Sequence, residues 1–527
     1  MLHGNGGRQL TDSVVISRSQ SIRHIGLLCR DNSHDYIVRY YGIPIGLHPV
    51  PIFSLLGTEK VIHYTLLSGD QALNRAAPEQ ALGYFESARS AMGDSKSDSQ
   101  AARVLFGLGV SQTLTGNRDD AGDNLRQSYE TYRLLGDTDS ALDVAIFPFP
   151  AFHHPNYSPM IRDALTVAPP GSVAQGLLLS KGGSLRSKDF DSDFEEALEI
   201  AQHHGDRSLE MWTLGRQGAS HWAHMRWSSA ADLLAAAAET GREIGDLAAL
   251  EHATRWAGMV AQSTGRTEIA EQRYEEAQTA AARSQDQSRL ELVTSRLLTL
   301  SRMLGDWERC MKHVSDLESL LGIRGAWESD WVASILFETG NVSEGEQELS
   351  KVLEQAPDVQ QGGQWAPLWG HMCRINGSSI TGEWLAETSP IEGPTPMLRH
   401  HSLQGQAMKA ILANDASSAV EILAALDYTD AFQFESCISS PRIKGLLAHT
   451  TGDLDAAVRH YVQAKKFTSD AGYKPELAWT CHDYAETLLQ RDATGDRKKA
   501  TELQDEAIAI ATELGMKPLL ERVLAQR

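Results

Sequence analysis

Cysteine is scarce in this 527-residue chain: Cys29, Cys310, Cys373, Cys437 and Cys481 are scattered, with no Cys-x-x-Cys. That spacing speaks against a disulfide framework or a zinc ribbon and suits a reducing cytoplasm. No Gly-Lys dipeptide occurs anywhere. The G-x-x-x-x-G-K-[ST] loop, whose backbone amides cradle nucleotide phosphates, is therefore absent. No apolar run approaches the ~20 residues needed to span a bilayer. No basic flank followed by a continuous apolar stretch marks a signal peptide. Basic residues are also in short supply, 48 Lys and Arg against 69 Asp and Glu, for a net charge of −21. Nucleic-acid binders present a basic face, so direct contact with DNA or RNA is not expected. The acidity suits the solubility of a long exposed surface.

What the chain does have is a recurring four-position signature. Gly69 is followed by Ala81, Phe85 and Ala88, at offsets of 12, 16 and 19. The same offsets recover Gly109, Ala121, Leu125, Ser128, and then Gly218, Ala230, Leu234, Ala237. They return at Gly258, Ala270, Tyr274, Ala277 and at Gly445, Ala457, Tyr461, Ala464, with a looser copy at Ala407, Ala419, Leu423, Leu426. Weaker copies begin at Leu298 and Ala333. Small residues at three places let two helix backbones approach, and the large third residue fills the gap beside them. Successive copies lie 35 to 40 residues apart, a period that means a stacked array. The Gly109–Gly218 interval leaves room for two irregular units, and Ala333–Ala407 for one more.

Turns punctuate this pattern. Thr115-Gly116-Asn117, Thr264-Gly265-Arg266, Gly305-Asp306-Trp307, Thr339-Gly340-Asn341 and Thr451-Gly452-Asp453 fall within units. Leu135-Gly136-Asp137, Ile244-Gly245-Asp246 and Ala471-Gly472-Tyr473 fall between them. Glycine ends one helix and Asp or Asn caps the next. The expectation is an all-α superhelix, an α-solenoid of about a dozen helix pairs running over residues 58–527.

The small–Ala–aromatic–Ala spacing resembles tetratricopeptide repeats, whose usual period is about 34 residues. The longer units here look like those in the sensor arm of LuxR-type regulators related to the maltose-gene activator, and of ATPase-linked adenylate or guanylate cyclases. Two stretches carry this likeness. Residues 59–88 contain His63-Tyr64-Thr65-Leu66-Leu67-Ser68-Gly69-Asp70. Residues 476–522 contain Asp483-Tyr484-Ala485-Glu486, Gly495-Asp496-Arg497 and Leu514-Gly515-Met516-Lys517-Pro518. The resemblance implies a sensor or scaffold that binds a protein segment, or a small-molecule effector, in a concave groove. Groove-facing places in such repeats transfer to Arg103, Phe106, Trp212, Trp222, His252, Arg255, Gln262, Arg442 and His449. Arg and aromatic side chains suit that role because they combine area with directional contacts.

Residues 1–57 stand apart. Pro44, Pro49 and Pro51 exclude a continuous helix from the apolar stretch 43–56. A tail, a cap over the first unit and the remnant of a truncated gene are all compatible with it. Two further irregular stretches, 147–171 and 386–396, are rich in proline. Neither catalytic nor metal chemistry is expected. His221 and His224 lack a third ligand and the glutamate of a metallohydrolase motif. The doublets His153-His154, His203-His204 and His400-His401 point to different helix faces. Ser439-Ser440 lacks a nucleophile-elbow glycine pattern. A non-catalytic, cofactor-free interaction protein is the expectation.

Overall fold

The computed structural model describes residues 58–527 except 94–97, 150–156, 185–189, 323, 356–365, 377–381, 383–384, 386–394, 427–431 and 434–437. Residues 1–57 (with Cys29), Cys437, the His153-His154 doublet and most of the second proline-rich stretch lie outside the described residues. Among those described there are twenty-four helices and no strand. The first pairs are α1/α2 (Thr58–Asn74, Pro78–Met92), α3/α4 (Ser99–Leu114, Arg118–Leu134), α5/α6 (Thr138–Ile146, Tyr157–Val167) and α7/α8 (Val173–Ser184, Asp191–His204). Next come α9/α10 (Arg207–Ala223, Trp227–Ile244), α11/α12 (Leu247–Ser263, Thr267–Ser284), α13/α14 (Gln287–Leu304, Trp307–Leu321) and α15/α16 (Ala326–Glu338, Val342–Gln355). After α17 (Ala366–Asn376) follow α18/α19 (Pro396–Leu412, Ala416–Leu426), α20/α21 (Ser440–Thr451, Leu454–Ala471) and α22/α23 (Lys474–Arg491, Asp496–Leu514). Helix α24 (Lys517–Ala525) ends the array. The fold is an all-α solenoid of tetratricopeptide-like pairs. The long Gly109–Gly218 interval holds the two short pairs α5/α6 and α7/α8, and the Ala333–Ala407 interval holds α17.

The pairing follows from the signature. A Cβ on Gly258 would stand 2.5 Å from the Tyr274 ring, and one on Gly445 would stand 2.7 Å from Tyr461. Each ring therefore occupies the notch left by a missing side chain, and both tyrosines are fully buried. The fourth position also works within a unit: the Ser128 hydroxyl donates to the Ala102 carbonyl at 2.7 Å, tying α4 to α3. At the first irregular stretch Phe147 and Phe149 are buried. The buried Lys181 ammonium donates to the carbonyls of Ala145 and Phe147 at 2.8 and 2.6 Å, closing the C-terminal end of α5. Burial pushes the Lys181 pKa well below its ordinary value.

Turns between units follow one rule for most of the chain. The side chains of Asp137, Asp206, Asp246 and Asp286 accept hydrogen bonds from the first amides of the next helix. Such caps are typically worth ~1 kcal/mol each. The last two turns break the rule. Tyr473 and Met516 stand in the place of that Asp, each preceded by Gly and followed by Lys-Pro. Neither caps by its side chain, and both are fully buried. Proline in the first helical turn sacrifices no bonded amide and pre-sets the backbone.

What buries them is the preceding turn of the superhelix. The Tyr473 hydroxyl donates to the Gln262 carbonyl, 211 residues away. Thr267 donates to the Ala471 carbonyl across 204 residues, and Trp307 Nε1 to the Leu514 carbonyl across 207. Gln287 reaches Glu79 across 208. One superhelical turn thus takes about five helix pairs of roughly forty residues, and consecutive turns touch edge to edge. The edge is seated on turn glycines: a Cβ on Gly305 (φ +81°) would stand 2.8 Å from Leu514, and one on Gly265 (φ +77°) 3.1 Å from Ala471 and Phe467. Among the described residues no helix is long and apolar enough to cross a membrane.

Candidate partner interface

The first helices of successive pairs pack against one another along the array, and the residues transferred from the repeat resemblance lie on these helices. They gather at four places. On α3, Arg103 pairs with Asp70 of α1 and stays partly exposed. Half-buried Phe106 meets Phe147 edge-on, with ring centroids 6.0 Å apart.

The densest group spans α9, α11 and α13. Trp212 lies under the guanidinium of Arg216 at 4.9 Å and that of Arg289 at 5.7 Å, and its ring is 5.6 Å from His252. His252 sits 6.3 Å from Trp256, which is 5.1 Å from Trp222 and carries Arg255 over its face at 5.5 Å. Four aromatic rings and three guanidiniums from three successive first helices form one wall. The ring of His252 fits because Gly215 has no side chain; a Cβ there would stand 3.2 Å from it. Burial pushes the His252 pKa well below its usual value, and Arg255, Arg216 and Arg289 add to this, so the imidazole is neutral. Beneath the wall, the fully buried Glu251 accepts from Arg255 at 2.5 Å and from Arg289 at 2.7 Å.

Gln262 and His449 belong to ties between units. Gln262 donates to Met303 Sδ at 3.0 Å and accepts from the Tyr274 hydroxyl at 2.7 Å. His449 Nδ1 lies 2.7 Å from the Thr487 hydroxyl. Trp222 is tied similarly, its Nε1 donating to Ser263 at 3.3 Å.

Arg442 lies in a place the repeat resemblance does not suggest. It is fully buried, donating to Glu476 at 2.5 Å and to Asp483 at 2.8 Å. Asp483 also receives both terminal nitrogens of Arg374. Burial alone would raise the Asp483 pKa, but Arg374 and Arg442 together hold it well below the carboxylate range. Burial dominates for Glu476 and pushes its pKa up despite Arg442. Trp479 stands in the middle, with the guanidiniums of Arg374, Arg442 and Arg522 at 5.8, 5.8 and 5.6 Å from its ring. Its Nε1 donates to Glu338 at 2.9 Å, and Glu338 also meets His371 Nε2 at 2.8 Å. Here the inside of the superhelix is occupied by the chain's own groups, so Arg442 is an internal strut.

His482, Asp483 and Glu486 place one potential ligand atom each within 4.8 Å of one another. Two guanidiniums already occupy the Asp483 oxygens, and this charge balance does not suit a cation. Of the histidines at i and i+3, His221 is held by Asp191 and Ser229, and His224 by the Ser220 carbonyl.

Sequence reasoning missed Trp256, Arg216, Glu338, Arg374 and Trp479. The first two lie one helical turn from predicted positions. The others belong to the closure of the superhelix. Its signal in the sequence is the paired Gly472-Tyr473-Lys474-Pro475 and Gly515-Met516-Lys517-Pro518, where earlier turns have Gly136-Asp137, Gly205-Asp206 and Gly245-Asp246.

No family model and no curated protein matches the chain. Among solved structures it is similar to a Rap protein complexed with competence and sporulation factor, at 10% identity and TM-score 0.36, covering 82% of this chain and 99% of that one. It is also similar to the APC/C hetero-tetramer Cut9-Hcn1, at 15% identity and TM-score 0.35, covering 88% and 96%. A third is yeast Tom70, at 12% identity and TM-score 0.29, covering 89% and 96%.

Proposed function

We propose that this chain is a non-catalytic protein-interaction scaffold whose docking wall is the inner face of α9, α11 and α13. The observation that supports this most is the row Trp212, His252, Trp256 and Trp222 interleaved with Arg216, Arg255 and Arg289. Stacked rings supply contact area with few rotamers to freeze. Arg216, Arg255 and Arg289 are buried behind them, held by Ser180 and Glu251; in a chain of net charge −21 their local positive field selects an acidic segment or a free C-terminal carboxylate. Half-buried His252 and Trp256 are the parts of the wall within a partner's reach. Trp222 is too deeply packed to lose without structural cost.

The test is fluorescence polarisation with an oligo-glutamate peptide and an oligo-lysine peptide. The wild-type chain should prefer the acidic probe, and Arg216→Gln with Arg255→Gln should weaken it by roughly 10-fold or more, consistent with two positive charges removed from behind the contact surface. Glu251 keeps Arg289 in that variant, so its fold should survive. Equal binding by the variant, or a preference for the basic probe, overturns the assignment.

A second reading, a sensor arm serving a separate signalling ATPase, cyclase or LuxR-type regulator, is favoured by the likeness of 59–88 and 476–522 to such arms. In that reading a small-molecule effector joins the partner at the wall.

A further inference from the structure

Around Trp479 the buried polar groups do not balance. The guanidiniums of Arg374, Arg442 and Arg522 surround its ring, and the His482 ring lies 5.9 Å from it. These four groups come from four helices: Arg374 from α17, Arg442 from α20, His482 from α22 and Arg522 from α24. Asp483 takes Arg374 and Arg442, and Glu476 takes Arg442 and Ser439. Among the described residues Arg522 meets no carboxylate; it donates through Nη2, to the Arg374 and Ile375 carbonyls. Two nitrogens stay unused at depth. Arg442 Nη2 and His482 Nδ1 are buried and have no hydrogen-bond partner among the described residues. His482 feels all three guanidiniums: burial pushes its pKa down to about 4, and Arg374, Arg522 and Arg442 add to this against Asp483.

A buried donor on a charged group is costly to leave unpaired, and native structures satisfy such groups with a water or an ion. Three guanidiniums repel a cation, so the ion that suits this place is an acceptor. Donors arriving from four helices match a tetrahedral oxyanion, whose oxygens point apart, better than a planar carboxylate. We propose that this cluster is an oxyanion site for a phosphate-type group, with Arg442 Nη2 and His482 Nδ1 as deep donors and half-buried Arg374 and Arg522 at the rim. The bound group supplies the negative charge that Arg522 lacks. It also ties α17, α20, α22 and α24 together at the C-terminal end of the array. The site is separate from the docking wall and does not rest on that reading.

Isothermal titration calorimetry of the full chain with sodium phosphate, in chloride buffer of matched ionic strength, is the test. Phosphate should bind saturably, one per chain, and sulfate, of the same shape, should compete. Arg522→Gln removes the rim charge, and His482→Phe removes the deep donor while keeping a ring. Each should weaken phosphate about 10-fold or more, whereas Arg522→Lys, which keeps the charge, should bind nearly as the parent does. Circular dichroism checks that helicity is retained; if a variant loses it, hydrogen exchange on the parent chain decides. There, phosphate should raise protection on α17, α20, α22 and α24 and leave α9 and α11 unchanged. The site is overturned by no saturable binding to the parent chain, by equal affinity in Arg522→Gln and His482→Phe, or by protection on α9 and α11 instead. Phosphoserine then identifies the source. Affinity equal to that of phosphate supports the site as one for a phosphate ester, and clearly weaker affinity supports it as one for the free ion.

Discussion

Asp330 lies fully buried on α15, where its Oδ1 accepts from Trp369 Nε1 at 3.4 Å and its Oδ2 has no hydrogen-bond partner. Burial pushes its pKa up to about 7 from an ordinary 3.8. The unfolded chain therefore ionises this carboxyl first as pH rises. Its contribution is fully present below about pH 4 and is lost through about pH 7, at ~1.4 kcal/mol per pH unit. Asp330→Asn should leave stability nearly unchanged at pH 4 and raise it by about 2–4 kcal/mol at pH 8, measured by urea unfolding at both values. A wild-type-to-variant difference that does not grow with pH would mean the carboxyl is ionised in the fold. Legibility at this scale divides sharply. Gly258 with Tyr274, and Gly445 with Tyr461, were readable because a notch and its filler keep a constant spacing. Asp330 was not readable, because one acidic residue in a helix looks the same whether it meets water or a tryptophan.

Helix pairs and their turns were largely open to sequence reasoning, since glycine stops and Asp caps are local chemistry. The ties between first helices were not. Arg442 occupies a groove-facing place by spacing, yet α22 lies against α20 and turns it into a buried strut between Glu476 and Asp483. Breaking a buried ionic group from one side strands the other charge, which typically costs roughly 3–5 kcal/mol. Arg442→Met should therefore destabilise by about that much, with Arg374→Gln costing clearly less because Arg374 is partly exposed and Asp483 keeps its second partner. Chemical denaturation of the two variants checks the order. Equal losses would show that the cluster behaves as one exposed network. The dependence on acid has a defined sign: Asp483, held below its ordinary 3.8 by Arg374 and Arg442 against the pull of burial, stabilises above about pH 4 and ceases to do so as pH falls below that.

The superhelix closes on itself because small rotations between successive pairs add up over about five of them. No single unit's pattern contains that sum, so period and pairing were legible while the contact between turns was not. The residues at the seam register it indirectly, through the exchange of a capping Asp for Tyr473 and Met516. That exchange bears on how many molecules can join. A surface that receives its own next turn could receive the first turn of another copy, and a head-to-tail contact of that kind propagates into a fibre. The matching edges are exposed: Asp415, Asp453 and Asp492 on one side, Gly136 and Gly205 beside Asp137 and Asp206 on the other. Both carry carboxylates, so two copies brought edge to edge would meet like charge. Asp137→Tyr with Asp206→Tyr should remove that barrier and yield concentration-dependent polymers in sedimentation velocity at concentrations where the parent chain should yield none. The cap that starts a helix would then also be what limits this protein's growth in length.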